Sequence, residues 1–158
     1  MKRLRDIMRH GFLFTIQRSA TVADAVRTMA ANNVGIVAIL DGDRLCGVFS
    51  ERDVVRKVVD RGLDPAETHL ADVMTTRLVV ADVDEDYQSA MQKMDQANIR
   101  HLPVVSGERL LSMLSIRDLM RVAIEDHGAE IEYLKEYLYQ VPPGVSDPPG
   151  ARDRRSHP

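Results

Sequence analysis

The sequence contains no tryptophan, only 4% aromatic residues, and a single cysteine, Cys46, among its 158 residues. One cysteine excludes an intrachain disulfide and disfavours a cysteine-based metal site. Cys46 stands in an apolar run, which is typical of a small buried hydrophobe rather than of a nucleophile. With so few aromatic residues, the core must be built from Val, Leu, Ile, Met and Ala.

Strong charge of either sign and long apolar runs are also missing. The net charge is −3 and the isoelectric point about 5.9, which disfavours a nucleic-acid-binding protein held by phosphate neutralisation. No stretch approaches the roughly 18 apolar residues of a membrane span, and the basic N-terminus lacks an apolar signal core. We therefore expect a cytoplasmic protein without membrane contact. The five histidines show no metal-ligand spacing, so no metal is expected.

What the chain does have is an internal repeat. Shifted by 65 positions, residues 21–56 fall on residues 86–121 without a gap, and ten of the 36 positions are identical. A short lead-in, residues 4–8, matches residues 70–74 at a shift of 66. This period indicates two copies of one supersecondary unit, which stack because neither buries enough surface alone.

Each copy is predicted to be a βαββα unit, which gives an α/β fold of the α+β kind. A short strand precedes an amphipathic helix, which Asn33 or Asn98 ends in a left-handed conformation. Two apolar runs then flank a tight glycine-containing turn, and a second helix starts after Ser50 or Ser115. The predicted strands are 12–16, 34–40 and 45–49 in the first copy, and 78–83, 99–105 and 110–114 in the second.

The predicted segments are repeat 1 over residues 1–62, a linker over 63–69, repeat 2 over 70–123, a C-terminal amphipathic helix over 124–140 and a disordered tail over 141–158. The tail carries five of the seven prolines, which favours disorder. Pro103 falls inside a predicted strand, so that strand is expected to lie at an edge or to be bulged.

Both copies place Ser-x-Arg-Asp between the hairpin and the second helix, as Ser50-Glu51-Arg52-Asp53 and Ser115-Ile116-Arg117-Asp118. One interpretation is a capping box, in which the serine caps the helix and the acid reaches back, without any ligand. The other is a ligand site. Arginine in a first turn opposes the helix dipole, free N–H groups there bind anions, and a carboxylate can accept ribose hydroxyls. The pattern alone leaves both interpretations open.

Together these features resemble a tandem pair of cystathionine-β-synthase-type (CBS) domains, also called a Bateman module, over residues 1–123. The resemblance rests on several short motifs and their order in both copies: Asp6-Ile7-Met8, Asp72-Val73-Met74-Thr75, Gly47-x-x-Ser50-x-x-Asp53, Arg100-His101-Leu102-Pro103-Val104-Val105 and Ser115-x-x-Asp118. It implies a stand-alone, bacterial-type CBS-domain protein. Its two βαββα repeats would pack about a pseudo-twofold axis, with two clefts between the sheets.

The resemblance also implies a function. CBS pairs act as non-catalytic regulatory modules that bind adenosine-containing ligands such as AMP, ADP, ATP, S-adenosylmethionine or NAD-type molecules, and they require no cofactor. Asp53 and Asp118 would bind ribose, and Ser50 and Ser115 would contact phosphate. The other expected ligand-binding residues are the cations Arg52, Arg117 and His101, the adenine contacts Val37, Ile39, Leu102 and Val104, and the neighbouring Arg100 and Pro103.

Gly47 is expected to let a ligand approach the backbone closely. Because the second copy has Ser112 at that position, the two clefts are expected to bind unequally. The expected partners are a second copy of the chain and an unidentified effector protein. The alternative is a ligand-free structural or interaction dimer with vestigial clefts. No nucleophile elbow and no glycine-rich phosphate loop ending in Lys-Ser or Lys-Thr is present, so an enzyme is not expected.

Overall fold

The computed structural model describes residues 1–126, and Met1–Ala123 form one compact unit. The predicted tail, 141–158, and the predicted C-terminal helix beyond residue 126 lie outside the described residues. Within those residues the βαββα order occurs twice, so the predicted α/β fold class is confirmed. None of the described helices combines the length and the apolarity that crossing a bilayer needs.

Each repeat consists of a short lead-in helix, a three-stranded sheet and two further helices. Repeat 1 contains α1 (Leu4–Ile7), β1 (Thr15–Gln17), α2 (Val22–Asn32), β2 (Ile36–Asp41), β3 (Arg44–Ser50) and α3 (Glu51–Asp53), which continues as a π-helix over Val54–Val59. Repeat 2 contains α4 (Leu70–Val73), β4 (Ala81–Asp82), α5 (Tyr87–Ala97), β5 (His101–Ser106), β6 (Arg109–Ser115) and α6 (Ile116–Asp126).

Local sequence determines where the first long helix of each repeat begins and ends. Thr21 caps α2, because the amide of Asp24 donates to Thr21 Oγ1 at 3.3 Å and the amide of Thr21 donates to the Asp24 carboxylate at 3.0 Å. The side chain of Asp86 caps α5. Asn33 and Asn98 end the helices with a φ of 51° each, as predicted, since asparagine tolerates the left-handed conformation.

The two sheets face one another. Their strand orders are β1-β2-β3 and β4-β5-β6, with the first strand of each hairpin in the middle. One face of each sheet contributes to a shared cluster between them, which contains Ile36, Ala38, Leu110 and Met113. The other face of the first sheet packs on α2 and α4 in a second cluster, whose members include Val37, Ile39, Phe49, Val22, Met29, Leu70 and Val73.

The two repeats exchange their lead-in helices. α4 precedes repeat 2 in the chain but packs on repeat 1, where Leu70 is fully buried and Val73 is 5% exposed. The Leu70 amide donates to the Ala20 carbonyl at 2.9 Å. Conversely, α1 packs on repeat 2, where the Leu4 amide donates to the Glu85 carbonyl at 2.8 Å. Each core is therefore completed by the segment that leads into the other repeat.

After each lead-in helix, the chain pairs with the last strand of the other repeat's sheet. Thr75 and Val48 exchange backbone hydrogen bonds of 2.9 and 3.0 Å, and Phe12 and Met113 exchange bonds of 3.0 and 2.7 Å. Val48 and Met113 are equivalent at the shift of 65. The crossing is therefore symmetric and ties the two sheets together at two places.

Close packing at these two crossings explains two glycines. A Cβ on Gly47 would lie 2.6 Å from Met74 Sδ and 3.1 Å from the Thr75 carbonyl oxygen. At the other crossing the glycine lies on the lead-in instead, where a Cβ on Gly11 would come within 2.5 Å of Ser112 Oγ and 2.6 Å of the Met113 carbonyl oxygen. The expectation that Gly47 admits a ligand was therefore wrong, because Gly47 makes room for the lead-in.

Pro103 does not mark an edge strand, because β5 lies between β4 and β6. The β5–β6 register does shift between Val104 and Val105, but the β2–β3 register shifts at the equivalent place, between Ile39 and Leu40. The irregularity therefore belongs to both repeats and is not caused by the proline.

The effect of Pro103 is on the pairing of β4. In repeat 1 the equivalent residue, Ala38, donates its amide to the Phe14 carbonyl at 3.0 Å. Proline has no amide hydrogen and cannot make this bond. β4 accordingly pairs with β5 only over Ala81–Asp82, and the segment before it is released from the sheet.

Substitution of the glycines should destabilise the fold unequally. Gly11→Ala places a Cβ against a backbone carbonyl, so we expect the free energy of unfolding to fall by about 1–3 kcal/mol. Gly47→Ala meets mainly the flexible Met74 side chain and should lose less, about 1 kcal/mol. Gly35→Ala is the control, because its Cβ would approach only the Glu51 carboxylate, at 3.4 Å. Urea unfolding measures all three, and equal losses for Gly11→Ala and Gly35→Ala would contradict this packing.

Tyr87 provides a second stability test. Its side chain is 1% exposed, and its hydroxyl has no hydrogen-bond partner among the described residues. Because a buried unsatisfied hydroxyl costs about 1–3 kcal/mol, Tyr87→Phe should leave the free energy of unfolding unchanged or raise it. Tyr87→Ala should lower it by about 3–5 kcal/mol through the cavity that it leaves. A clear loss of stability in Tyr87→Phe, measured by urea unfolding, would mean that the hydroxyl is bonded.

Candidate functional site

The serine and aspartate of both Ser-x-Arg-Asp motifs form capping boxes. The Asp53 amide donates to Ser50 Oγ at 3.3 Å, and the Ser50 amide donates to Asp53 Oδ2 at 3.0 Å. Ser115 and Asp118 make the same two bonds at 3.3 and 2.7 Å. Each hydroxyl also donates to its aspartate, at 3.2 and 2.7 Å. The capping interpretation therefore holds in both repeats, and both hydroxyls are engaged.

The first turn of each helix has fewer free amides than the anion-site interpretation needs. The amide of Glu51 donates to the Gly35 carbonyl at 3.0 Å, and the equivalent amide of Ile116 donates to the Arg100 carbonyl at 2.9 Å. The amides of Asp53 and Asp118 donate to the capping serines. Two amides of each first turn therefore already have hydrogen-bond partners. A phosphate held in this region would therefore depend mainly on side-chain cations.

Lys57, which sequence reasoning missed, binds the second oxygen of Asp53. Its Nζ lies 3.3 Å from Asp53 Oδ1, and the two side chains are only 27% and 15% exposed. The same ammonium donates to Thr75 Oγ1 at 2.8 Å and to the Val73 carbonyl of α4 at 3.1 Å. A carboxylate has about four lone-pair sites. Asp53 Oδ2 accepts two hydrogen bonds from Ser50, and Oδ1 forms the ion pair with Lys57. Acceptor capacity for a ligand hydroxyl therefore remains at Asp53 Oδ1.

A cleft of about 350 Å³ lies beside this motif, within the roughly 300–1,000 Å³ range of small-molecule sites. Repeat 1 contributes the end of β3 and the start of α3, and repeat 2 contributes the segment after α4 and the start of β5. The charged and polar side chains that line it include Ser50, Glu51, Arg52, Asp53, Thr75, Arg77, Asn98, Arg100 and His101. The apolar side chains are Ile36, Val48, Leu78, Val79, Ile99 and Pro103.

Six of the predicted site residues come together in this cleft, namely Ser50, Arg52, Asp53, Arg100, His101 and Pro103. Ser115, Arg117 and Asp118 do not line it. They form the equivalent junction of repeat 2, where Phe12 pairs with Met113.

The predicted adenine contacts lie on the wrong face of their strands. Val37, Ile39, Leu102 and Val104 have no exposed surface and do not line the cleft. Val37 and Ile39 instead belong to the cluster under α2 and α4. Because side chains alternate along a strand, the neighbouring positions face the cleft, and Ile36 and Pro103 supply the apolar wall.

His101 links the cleft to the junction of repeat 2. Its backbone pairs with Ser115 on β6, and its ring stands edge-on to Phe12 with centroids 5.9 Å apart. Burial holds the pKa of His101 below its usual value; the Asp118 and Glu51 carboxylates oppose this shift and Arg100 reinforces it. Burial therefore favours the uncharged ring, and the arginines are the permanently charged cations of the cleft.

Arg52, Arg77 and Arg100 are all exposed and line the cleft. No hydrogen bond or ion pair holds any of these three guanidinium groups to another described residue. Arginine binds phosphate and carboxylate groups in a bidentate manner. The cleft can therefore accept an anionic group at its charged side and a planar apolar group against Ile36 and Pro103.

The remaining candidates for chemistry do not add a site. Cys46 packs against the core cluster under α2, and burial raises the pKa of its thiol, which keeps it in the less nucleophilic form. In residues 1–126, no group of three or more His, Cys, Asp or Glu side chains is placed to hold a metal ion.

Part of what sequence reasoning missed could have been found. Val48 is two residues before Ser50 on β3, so strand alternation places both on one face, and hairpin pairing adds Ile36, which lies opposite Ser50. Lys57 is four residues after Asp53, one helical turn away. Arg77 carried no such signal, because its position depends on how the repeats cross.

Comparison with known proteins agrees with this architecture. The CBS-domain family profile matches residues 4–60 and 70–125. A curated relative, the CBS domain-containing protein CBSX3, mitochondrial, of Arabidopsis thaliana, is 34% identical over 123 residues, which is 75% of this chain and 60% of the relative. The chain thus spans less than two thirds of that relative's length.

Two solved structures share the fold. A putative signal-transduction protein with CBS domains from Burkholderia ambifaria MC40-6 superposes with a TM-score of 0.74 at 28% identity, covering 79% of this chain and 96% of its own. The CBS domain protein PAE2072 from Pyrobaculum aerophilum, complexed with AMP, gives a TM-score of 0.67 at 26% identity, covering 74% and 89%. A CBS pair is a regulatory module, and one of these two neighbours is bound to AMP.

The profile match in two successive segments, which together exceed half of the chain, coincides with the two structural repeats and their paired capping motifs. The chain belongs to the CBS-domain family and carries two CBS domains.

Proposed function

We propose that this chain is a non-catalytic regulatory module that binds an adenosine-containing ligand in the cleft beside Asp53. The observation that carries the proposal is the convergence of Arg52, Arg77 and Arg100, without acidic partners among the described residues, around a cleft that also has an apolar wall. The AMP complex of the PAE2072 relative supports this class of ligand.

Each part of such a ligand has a chemically suitable neighbour in the cleft. The remaining acceptor capacity of Asp53 suits a ribose hydroxyl. Ile36 and Pro103 offer an apolar surface for a base, and the arginines suit phosphate. Because the Ser50 hydroxyl already donates its one proton to Asp53, we assign it a positioning role for Asp53 rather than the direct phosphate contact predicted from sequence.

The regulatory output requires that the ligand favour one state of the module over another. We infer that this output passes to a second copy of the chain or to an effector protein, and we expect the module to act in the cytoplasm. The satisfied capping boxes suit the alternative too, a ligand-free interaction module, because neither Ser50 nor Asp53 needs a ligand to be bonded. Ligand binding decides between the two.

A thermal-shift panel tests the proposal. AMP, ADP, ATP, S-adenosylmethionine and NAD would each be added at up to millimolar concentration. A ligand present at about one hundred times its Kd should add about 2.7 kcal/mol to the free energy of unfolding. We expect at least one of the five to raise the Tm by several degrees. If none does, the ligand-free alternative replaces the proposed function.

The two repeats offer a matched pair of variants. Asp53→Ala and Asp118→Ala both break a capping box, at a cost of about 1 kcal/mol each. Only Asp53→Ala removes a cleft-lining carboxylate. We expect the ligand-induced Tm shift, measured from each variant's own baseline, to fall in Asp53→Ala and to persist in Asp118→Ala. A shift that persists in full in Asp53→Ala would place the ligand elsewhere.

The depressed pKa of His101 predicts a pH dependence. A histidine whose folded-state pKa lies below its unfolded value costs stability as the pH falls through the unfolded value, near 6.5, toward the lower folded value. The free energy of unfolding of the wild type relative to His101→Gln should therefore decrease between pH 7.5 and pH 5.5. Urea unfolding at several pH values measures the difference. A pH-independent difference would mean that His101 is not desolvated.

A further inference from the structure

We propose that the cleft selects a phosphorylated nucleotide over a neutral nucleoside or a sulfonium ligand, and that Arg77 and Lys57 set this preference. The adenosine part of the statement rests on the proposed function. The anion preference rests on two cationic side chains that have no cationic counterpart in the other repeat.

Arg77 reaches the cleft because the segment between α4 and β4 is released from the sheet. Five residues separate the crossing residue Thr75 from Ala81 on β4, whereas three residues separate the crossing residue Phe12 from Ile16, the equivalent of Ala81. The longer segment lacks the hydrogen bond that Pro103 cannot donate. It therefore forms one wall of the cleft instead of continuing the strand.

This wall brings a third guanidinium to the cleft. Arg52 comes from α3 and Arg100 from the residue before β5, and Arg77 lines the cleft from the lead-in. Phe12 is the crossing residue of repeat 1 and therefore corresponds to Thr75, and none of the three residues between Phe12 and Ile16 is charged. Phe12 is uncharged and packs against the cluster between the sheets. The segment that carries Arg77 in repeat 2 therefore has no cationic residue in repeat 1.

Lys57 removes the main obstacle to anion binding. A phosphate near Asp53 would be repelled by an uncompensated carboxylate, but the Lys57 ammonium lies 3.3 Å from Asp53 Oδ1 and compensates its charge. The equivalent residue in repeat 2 is Val122, which is 1% exposed. Asp118 Oδ1 therefore has no cation beside it among the described residues.

The resulting charge pattern distinguishes classes of ligand. With the Asp53 charge compensated, the cleft presents three arginines against one further carboxylate, that of Glu51. Phosphate groups gain charge-assisted hydrogen bonds from these arginines. A sulfonium centre carries positive charge and is repelled by them, and a nucleoside without phosphate gains nothing from Arg77.

Calorimetric titration of the full chain with AMP, adenosine and S-adenosylmethionine tests this preference. We expect AMP to bind at least tenfold more tightly than adenosine or S-adenosylmethionine, since a hydrogen bond between charged groups contributes about one to two powers of ten. Arg77→Ala should weaken the affinity for AMP about tenfold and leave the affinity for adenosine unchanged. Arg109→Ala is the matched control, because Arg109 is an exposed arginine that does not line the cleft.

Lys57→Met and Lys57→Arg separate charge from structure. Lys57→Met should reduce the ratio of AMP affinity to adenosine affinity, whereas Lys57→Arg should restore it. A purely structural role would lower both affinities together and leave the ratio unchanged. That outcome would overturn the role of Lys57.

Inorganic pyrophosphate distinguishes failure of this inference from failure of the proposed function. If pyrophosphate binds to the wild type and its binding is lost in Arg77→Ala, the anion site is supported even if no adenosine compound binds. If adenosine and AMP bind equally, or S-adenosylmethionine binds as tightly as AMP, the anion preference is overturned while the adenosine site stands.

Discussion

The exchange of lead-in helices is the constraint on which the rest of this structure depends. Leu70 and Val73 bury their side chains in the core of repeat 1, although they belong to the segment that introduces repeat 2. The backbone of α1 is bound to repeat 2 in the same way. Because each core needs the other repeat's lead-in, the two sheets must lie face to face. The cleft forms where one of these crossing segments passes the start of α3.

Small departures from symmetry then give the cleft its character. The crossing on the Asp53 side uses a glycine on β3, whereas the other crossing uses a glycine on the lead-in. Pro103 stands at the position equivalent to Ala38 and shortens the pairing of β4 with β5. The segment between α4 and β4 is thereby released to form one wall of the cleft. Unequal binding by two clefts stays an expectation, but Gly47 and Ser112 do not provide its physical basis. The glycine accommodates a neighbouring segment, and charge and loop length account for the asymmetry of the site.

Features that are local in sequence could be predicted, and features set by tertiary crossing could not. The repeat, the hairpins and the left-handed Asn33 and Asn98 follow from spacing and turn chemistry over a few residues. The face of β2 was misassigned because Val37 and Ile36 are both apolar, and only the position of α2 and of the second sheet determines which one lies in which layer. Arg77 could not be assigned to the site, since its place depends on a proline in a different strand.

The exchanged lead-ins also bear on the autonomy and ancestry of the repeat. One complete core is contained in the piece of chain that begins after α1 and ends with α4. The family match of the first domain, residues 4–60, instead includes α1 and omits α4. A single ancestral copy, cut at the boundaries of sequence similarity, would have left its own core unclosed and would have donated its lead-in to a second molecule. Gene duplication would then have joined an interlocked pair into one polypeptide. After fusion, each half could accumulate its own substitutions, so that two identical surfaces became one specialised site.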